Sequence, residues 1–266
     1  MKIFLDTSNT EEIRKAREAI EKAGGRLDGI TTNPTSASQY AMESGKKPRD
    51  IFLEIADITD GPVSVEAIGC SDYDTRKITA DQLAEEAHEI AGWHKNFVVK
   101  MPCTSEGLVA TREICHEVPV NMTLVFSVDD ALCTAHAGAA YCSPFVGRLD
   151  ERVPLLGVRT AEKICELYKE RNFRTEVLFA SARSPAHIEF AYAIGSHICT
   201  IPYKLFSSMN MGRLAEMRKM AVHNTPQNPV DIRKLDLLMP RKEEGLKRFL
   251  DDAAKAGYRI LAHKES

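Results

Sequence analysis

The stretch Asn96-Phe97-Val98-Val99-Lys100-Met101-Pro102 sets the reading of this chain. Three apolar residues, two of them β-branched, run into a lysine, and a proline follows almost at once. An apolar run of this length closed by a breaker is a short buried strand that stops just past Lys100. Taking an ammonium out of water at the end of such a strand is costly, which favours the neutral, nucleophilic amine. Alone, the pattern fits better a strand-end lysine whose charge reaches water along its own stem. The rest of the chain separates the two.

Outward from Lys100, the same unit repeats: a short β-type run, a polar end, then a stretch with helical spacing. Upstream, Lys2 to Leu5 ends at Asp6, Leu27 to Ile30 ends in Thr31-Thr32-Asn33-Pro34, and Val63 to Ala67 carries Glu66. Helices are predicted between them over Ile13 to Ala23, Thr35 to Ser44, Asp50 to Ile58 and Thr79 to Ala91. Downstream, strands are predicted over Val118 to Phe126, Ala139 to Cys142, Glu176 to Ala180 and His197 to Ile201. Thr104 to His116, Val128 to Ala137, Thr160 to Glu170 and Ser184 to Ile194 supply the helices. Strand and helix alternating without interruption argue for a parallel sheet wrapped by helices. Eight units at this spacing fit a closed (β/α)8 or TIM barrel over residues 1–205. A doubly wound open sheet is the runner-up, but no Gly-rich turn follows the first strand.

The tail breaks the alternation. Met211 to Val222 reads as helix, Asn224 to Pro229 as a proline-broken loop, and Arg241 to Ala256 as a charged amphipathic helix. Leu246, Phe249, Leu250 and Ala253 fall on one face of that last helix. Residues 206–266 are therefore expected to form a C-terminal helical extension that packs on the barrel or on a neighbouring subunit.

Composition bounds the function. The 266 residues, 44% hydrophobic, can form one large α/β domain or two small ones with a true core. A net charge of -3 carries no basic footprint for nucleic acid. No apolar run is long enough to span a bilayer, and Met1 to Asp6 is too short to read as a signal peptide. Seven scattered cysteines without a CxxC pair suit a reducing, cytoplasmic setting, with neither a disulfide framework nor a zinc site.

In barrels of this kind the chemistry sits at the C-terminal ends of the strands. The polar residues found there are Asp6, Asn33, Glu66, Lys100, Asn121 with Thr123, Ser143, and Ser181 with Arg183. A lysine between carboxylates can form a Schiff base with a ketone while the acids move protons; a structural ion pair is the alternative. Arg183 follows the seventh strand, where phosphate sites of such barrels are often built, and Arg148 follows the sixth. Guanidinium and hydroxyl together suit a phosphate monoester. Cys103 has no histidine fixed beside it, and His88, His94, His116, His136 and His187 show no ligand spacing.

These strand ends resemble the transaldolase family, particularly its small single-barrel members. The matching text is Phe4-Leu5-Asp6-Thr7, Gly29 to Pro34, Val98 to Pro102, Asn121 to Ser127, Ser143 to Arg148, Ala180 to Arg183 and Thr200-Ile201-Pro202. Gly245 to Phe249 resembles the terminal helix of the small members. The resemblance implies that Lys100 is the Schiff-base lysine and Asp6 the acid/base at the breaking bond, with Glu66 and Thr123 holding a water. It implies that Asn33, Asn121 and Ser143 bind dihydroxyacetone hydroxyls, and that Arg148, Ser181 and Arg183 bind phosphate. It further implies sugar-phosphate substrates, no metal or organic cofactor, and a homo-oligomer.

Three features depart from the pattern. Residues 207–242 have no clear counterpart, Thr35 replaces a usual serine, and Ala182 replaces a larger residue and is expected to widen the phosphate end. Transaldolases of this group resemble one another in a glutamate on the third strand and a phenylalanine in the Ser-Pro-aromatic motif. Fructose-6-phosphate aldolases have glutamine and tyrosine there. Glu66 and Phe145 place this chain with the transaldolases; the aldolase and a barrel that binds sugar phosphate without turning it over are the alternatives.

Overall fold

A computed structural model describes residues 1–69, 78–218 and 240–255, with side chains from Gly245 onward in the last stretch. Eight parallel strands close into a barrel in chain order. They are β1 (Lys2–Asp6), β2 (Gly29–Thr31), β3 (Val63–Glu66), β4 (Phe97–Pro102), β5 (Val120–Val125), β6 (Tyr141–Pro144), β7 (Glu176–Phe179) and β8 (Ile198–Pro202). β1 closes the ring by pairing with both β2 and β8. Outside lie α1 (Thr10–Lys22), α2 (Pro34–Ser44), α3 (Pro48–Asp57), α4 (Ala80–Trp93), α5 (Ser105–Ile114) and α6 (Val128–His136). After β6 come α7 (Val146–Asp150) and α8 (Leu156–Glu170), and after β7 comes α9 (Pro185–Ala193). The (β/α)8 barrel expected from the alternation is the fold.

Local sequence explains where the helices begin. Asn9, Asn33, Thr79, Thr104, Ser127 and Ser184 each accept a backbone N–H from the first turn they precede. Those donors have no partner within the helix, so each cap stabilises the start by about 1 kcal/mol. The pleat sorts the faces of the strands. In β4, Phe97 meets Trp93 edge-on at 6.5 Å, and Met101 sulfur takes the Thr111 hydroxyl, so these residues face the helices. Lys100, one step away, faces the inside of the barrel.

Two strands lie nearer the mouth than the sequence suggested. β2 begins at Gly29 because Asp28 is held below it, accepting the Ile3 N–H and pairing with Arg26 and Arg218. β6 begins at Tyr141 because Gly138, at φ +87°, turns the chain just before it. Two helices were not expected, α7 and α10 (Tyr203–Phe206), both too short to show a helical period.

The helix expected from Met211 begins there as α11 (Met211–Met217); its later part and the Asn224 to Pro229 loop lie outside the described residues. α12 (Pro240–Lys255) packs along α2, where the Thr35 hydroxyl donates to Asp252 Oδ2 at 2.5 Å. Leu246, Phe249, Leu250 and Ala253 are all buried within this chain. A Cβ on Gly245 would lie 2.8 Å from Leu124 Cδ2 and 3.1 Å from Arg148 Nη1, so glycine sets how closely the helix lies over the mouth. That apolar face, expected to pack on the barrel or on a neighbouring subunit, packs against this chain's own barrel. Among the described residues, no helix is long and apolar enough to cross a membrane.

Candidate active site

Register brings the first polar groups together. Glu66 on β3 lies opposite Lys100 on β4, and Lys100 lies opposite Asn121 on β5, so three adjacent strands put them in one row. The Lys100 amine donates to the Thr32 carbonyl at 2.9 Å and sits 3.0 Å from Glu66 Oε2. With 7% and 2% of these two side chains exposed, solvent screens the pair little.

Asp6, at the end of β1, accepts a hydrogen bond from the Thr31 hydroxyl at 3.0 Å; that hydroxyl lies 2.6 Å from Thr200 Oγ1. Burial pushes the Asp6 carboxyl above the ordinary range, and the nearby Lys100 charge pulls it part of the way back. Glu66 is raised for the same reason, against the pull of Lys100. Two carboxyls whose protons are held more tightly than usual thus flank one amine.

A cavity of about 180 Å³ opens at this end of the barrel. Ten of the eleven residues singled out from the sequence line it: Lys100, Asp6, Thr123, Asn33, Asn121, Ser143, Phe145, Arg148, Ser181 and Arg183. Glu66 sits behind Lys100, buried to 1% exposure. Ala182 is buried and does not itself line the cavity.

Hydrogen bonds fix the polar wall. Ser143 donates to Asn121 Oδ1 at 2.6 Å, and Asn121 Nδ2 donates to Ser64 Oγ at 3.0 Å. Asn33 caps α2 with its carbonyl oxygen, which accepts from Ser36 N at 2.9 Å, and its side chain also bonds Asp6. The buried hydroxyls of Thr123 and Ser181 have no hydrogen-bond partner among the described residues. A buried polar atom in that state costs free energy until something bonds it, and a hydroxyl-rich ligand would. Both stand at distorted backbone. Leu124, next to Thr123, has φ +58° where the β5–β6 register shifts, and Ser181 itself has φ +62°. Such conformations cost about 1–3 kcal/mol each and cluster at ligand sites.

The far end of the cavity is cationic. The Arg148 guanidinium lies over the rings of Phe145, at 5.2 Å, and Phe249, at 5.7 Å. Burial, with Arg248 and Arg183 close by, pushes its pKa down. Arg183 pairs with Glu151 at 3.0 Å. Gly147 makes this corner possible, because a Cβ there would fall 2.1 Å from the Ser181 carbonyl oxygen.

Several parts of the site had escaped the sequence. Thr32 supplies the carbonyl that holds Lys100, Ser64 holds Asn121, and Thr31 holds Asp6. The period of two would have found Ser64, two residues before Glu66 on the same face. His187, set aside with the other histidines, accepts the Arg183 N–H at 3.2 Å and meets Asp150 at 3.2 Å, bracing the arginine loop. Arg248 and Phe249 of α12 also line the cavity. No local pattern marks which surface a terminal helix will cover.

Solved structures share this fold. A putative fructose-1,6-biphosphate aldolase from Coccidioides immitis superposes with a TM-score of 0.51 at 14% identity, over 96% of this chain and 87% of its own. A mandelate oxidase gives 0.51 at 15% identity, over 81% and 71%. At those identities only the fold is common. Sequence relatives are nearer. A probable transaldolase of Clostridium kluyveri is 40% identical over 79% of this chain and 89% of its own length. Probable transaldolases of Clostridium botulinum and Streptococcus pyogenes are 40% and 41% identical, over 82% and 79% of this chain and 92% and 90% of their own. The family described as transaldolase/fructose-6-phosphate aldolase matches residues 3–260. Barrel, strand-end residues and relatives agree, and this chain belongs to the transaldolase/fructose-6-phosphate aldolase family.

Proposed function

We propose that the chain is a transaldolase, moving a dihydroxyacetone unit from fructose 6-phosphate or sedoheptulose 7-phosphate to an aldose phosphate through an imine on Lys100, as in the pentose phosphate pathway. The observation that carries this is a buried amine, 3.0 Å from Glu66, in one cavity with Asp6. With its proton removed, Lys100 Nζ adds to the ketone carbon; loss of water leaves the iminium. In this reading Glu66 and the Thr123 hydroxyl hold a second water that carries protons as the carbinolamine forms and protonates its hydroxyl as it leaves.

The bond between carbons three and four then breaks. Asp6 takes the proton from the hydroxyl of carbon four, the electron pair flows into the iminium, and an aldose phosphate leaves. The enamine that remains attacks the carbonyl of the acceptor, and Asp6 returns its proton to the new alkoxide. Water finally releases the product from Lys100. An acid used in both directions works best with its pKa moved toward the working pH, the direction in which burial moves Asp6. In this reading Asn33, Asn121 and Ser143 bind the hydroxyls of the transferred unit and Arg148, Ser181 and Arg183 the phosphate; all six line the one cavity.

The second reading is a fructose-6-phosphate aldolase, in which a proton captures the same enamine. Glu66 and Phe145 favour the transferase. Borohydride added with fructose 6-phosphate should fix a covalent adduct on Lys100, seen by peptide mass, and Lys100→Ala should abolish it. An adduct on another lysine, or none, ends both readings.

A further inference from the structure

We propose that Arg248, on α12, is a third guanidinium of the anion end of the cavity, so that the C-terminal helix takes a direct part in recognising a phosphorylated sugar. This rests on reading the cavity as a sugar-phosphate site and adds to it a group from outside the barrel.

Placement comes first. Arg248 lines the same cavity as Arg148 and Arg183, although it lies on a helix that packs over the mouth rather than on a strand end. Its helix is held there by Gly245 against Leu124 and Arg148, and by Thr35 bonding Asp252. Phe249, the next residue, contributes one of the two rings around the Arg148 guanidinium. Position 248 is thus fixed by packing on both sides.

The second argument is charge. Among the described residues the one carboxylate that Arg248 approaches is Asp252, Nε to Oδ2 at 3.9 Å, a loose contact. Asp252 is already engaged, by the Thr35 hydroxyl on Oδ2 and by Lys255 at 3.5 Å on Oδ1. Among the described residues no other carboxylate pairs with Arg248, and its side chain is 65% exposed on the cavity side of the helix. It nonetheless sits near enough to Arg148 to depress that residue's pKa, more than Arg183 does. Three guanidiniums facing one space repel one another. A dianion with three acceptor oxygens would relieve that repulsion and could take a forked pair of hydrogen bonds from each.

The test uses inorganic phosphate as the probe, by calorimetry on the full chain, beside kinetics with fructose 6-phosphate. Arg248→Ala should weaken phosphate binding by about 3- to 30-fold, the effect of one charge-assisted contact discounted for exposure. Arg248→Lys should recover part of it. Lys247→Ala, an exposed neighbour on the same helix and outside the cavity, should bind phosphate as the unmutated chain does. The preference for phosphorylated over unphosphorylated fructose as donor should fall with Arg248→Ala, and KM should change more than kcat. Melting curves verify that each variant is folded. Phosphate binding by Arg248→Ala equal to that of the Lys247 control overturns the proposal, as does an unmutated chain that binds no phosphate. A chain that binds phosphate through Arg248 yet forms no imine supports this inference and removes the transaldolase reading instead.

Discussion

Phe145 meets Phe126 edge-on at 5.7 Å and lies under the Arg148 guanidinium at 5.2 Å, so its ring is held from two sides. It brings no hydroxyl to the cavity that holds Lys100. Whether an enamine there waits for an aldehyde or is quenched by a proton depends on whether an acid is positioned to deliver one. Such an acid is worth roughly 10²- to 10⁴-fold. Phe145→Tyr is therefore expected to raise acceptor-free release of dihydroxyacetone from fructose 6-phosphate by about 100-fold, the low end of that range. Transfer to erythrose 4-phosphate should fall in step, and one coupled assay reads both. A Tyr variant with unchanged cleavage, or an unmutated chain that already cleaves fast without an acceptor, contradicts this account of the residue.

Glu86 on α4 ties a helix to the loop that leaves β3. Its Oε2 accepts the N–H groups of Ile68 at 2.7 Å and Gly69 at 2.9 Å, two residues beyond the buried Glu66. Burial pushes its pKa from 4.5 up to about 7. The unfolded chain gives up this proton at the lower value while the folded chain keeps it, so stability falls as pH rises from about 4.5 to about 7. At 1.36 kcal/mol per unit, this one group costs on the order of 3 kcal/mol above the window. Glu86→Gln, which can still accept both bonds, should flatten that part of the profile; urea unfolding midpoints at pH 5 and pH 8 would show it.

The alternation of elements was legible because strand and helix write different periods and each barrel unit contains both. The inward polar residues were legible for a related reason. They stand where an apolar run stops, and the barrel gathers all eight stops at one end. What could not be read was anything set by contacts distant in sequence, such as the Lys100 bond to Thr32 or Arg248 at the cavity wall. Short α7 and α10 were missed because a single turn has no period to detect.

At the scale of the molecule, α12 decides how much of the chain acts as one body. Leu250 is fully buried, and Leu250→Ala should cost about 2–5 kcal/mol if the helix packs where it is seen. Truncation before Arg241 should lower the melting temperature yet leave the number of subunits seen by light scattering as it was, since the apolar face of the helix is used inside the chain. Fewer subunits after truncation would mean that the helix serves a neighbour. A homo-oligomer, the assembly implied by the family resemblance, would on this account be built from other surfaces. The closure of the barrel has one more consequence, and it concerns synthesis. β1 is made before the other barrel strands, and its partner β8 lies about 200 residues downstream, so its outer edge stays unpaired for roughly 10–40 s at ordinary rates of synthesis. Lys100 and Glu66 can meet as soon as neighbouring strands pair, but Asp6 is clamped between Thr31 and Pro202. The nascent chain can therefore pair Lys100 with Glu66 long before Asp6 is locked in register, and on the proposed reading turnover begins only when the last strand docks.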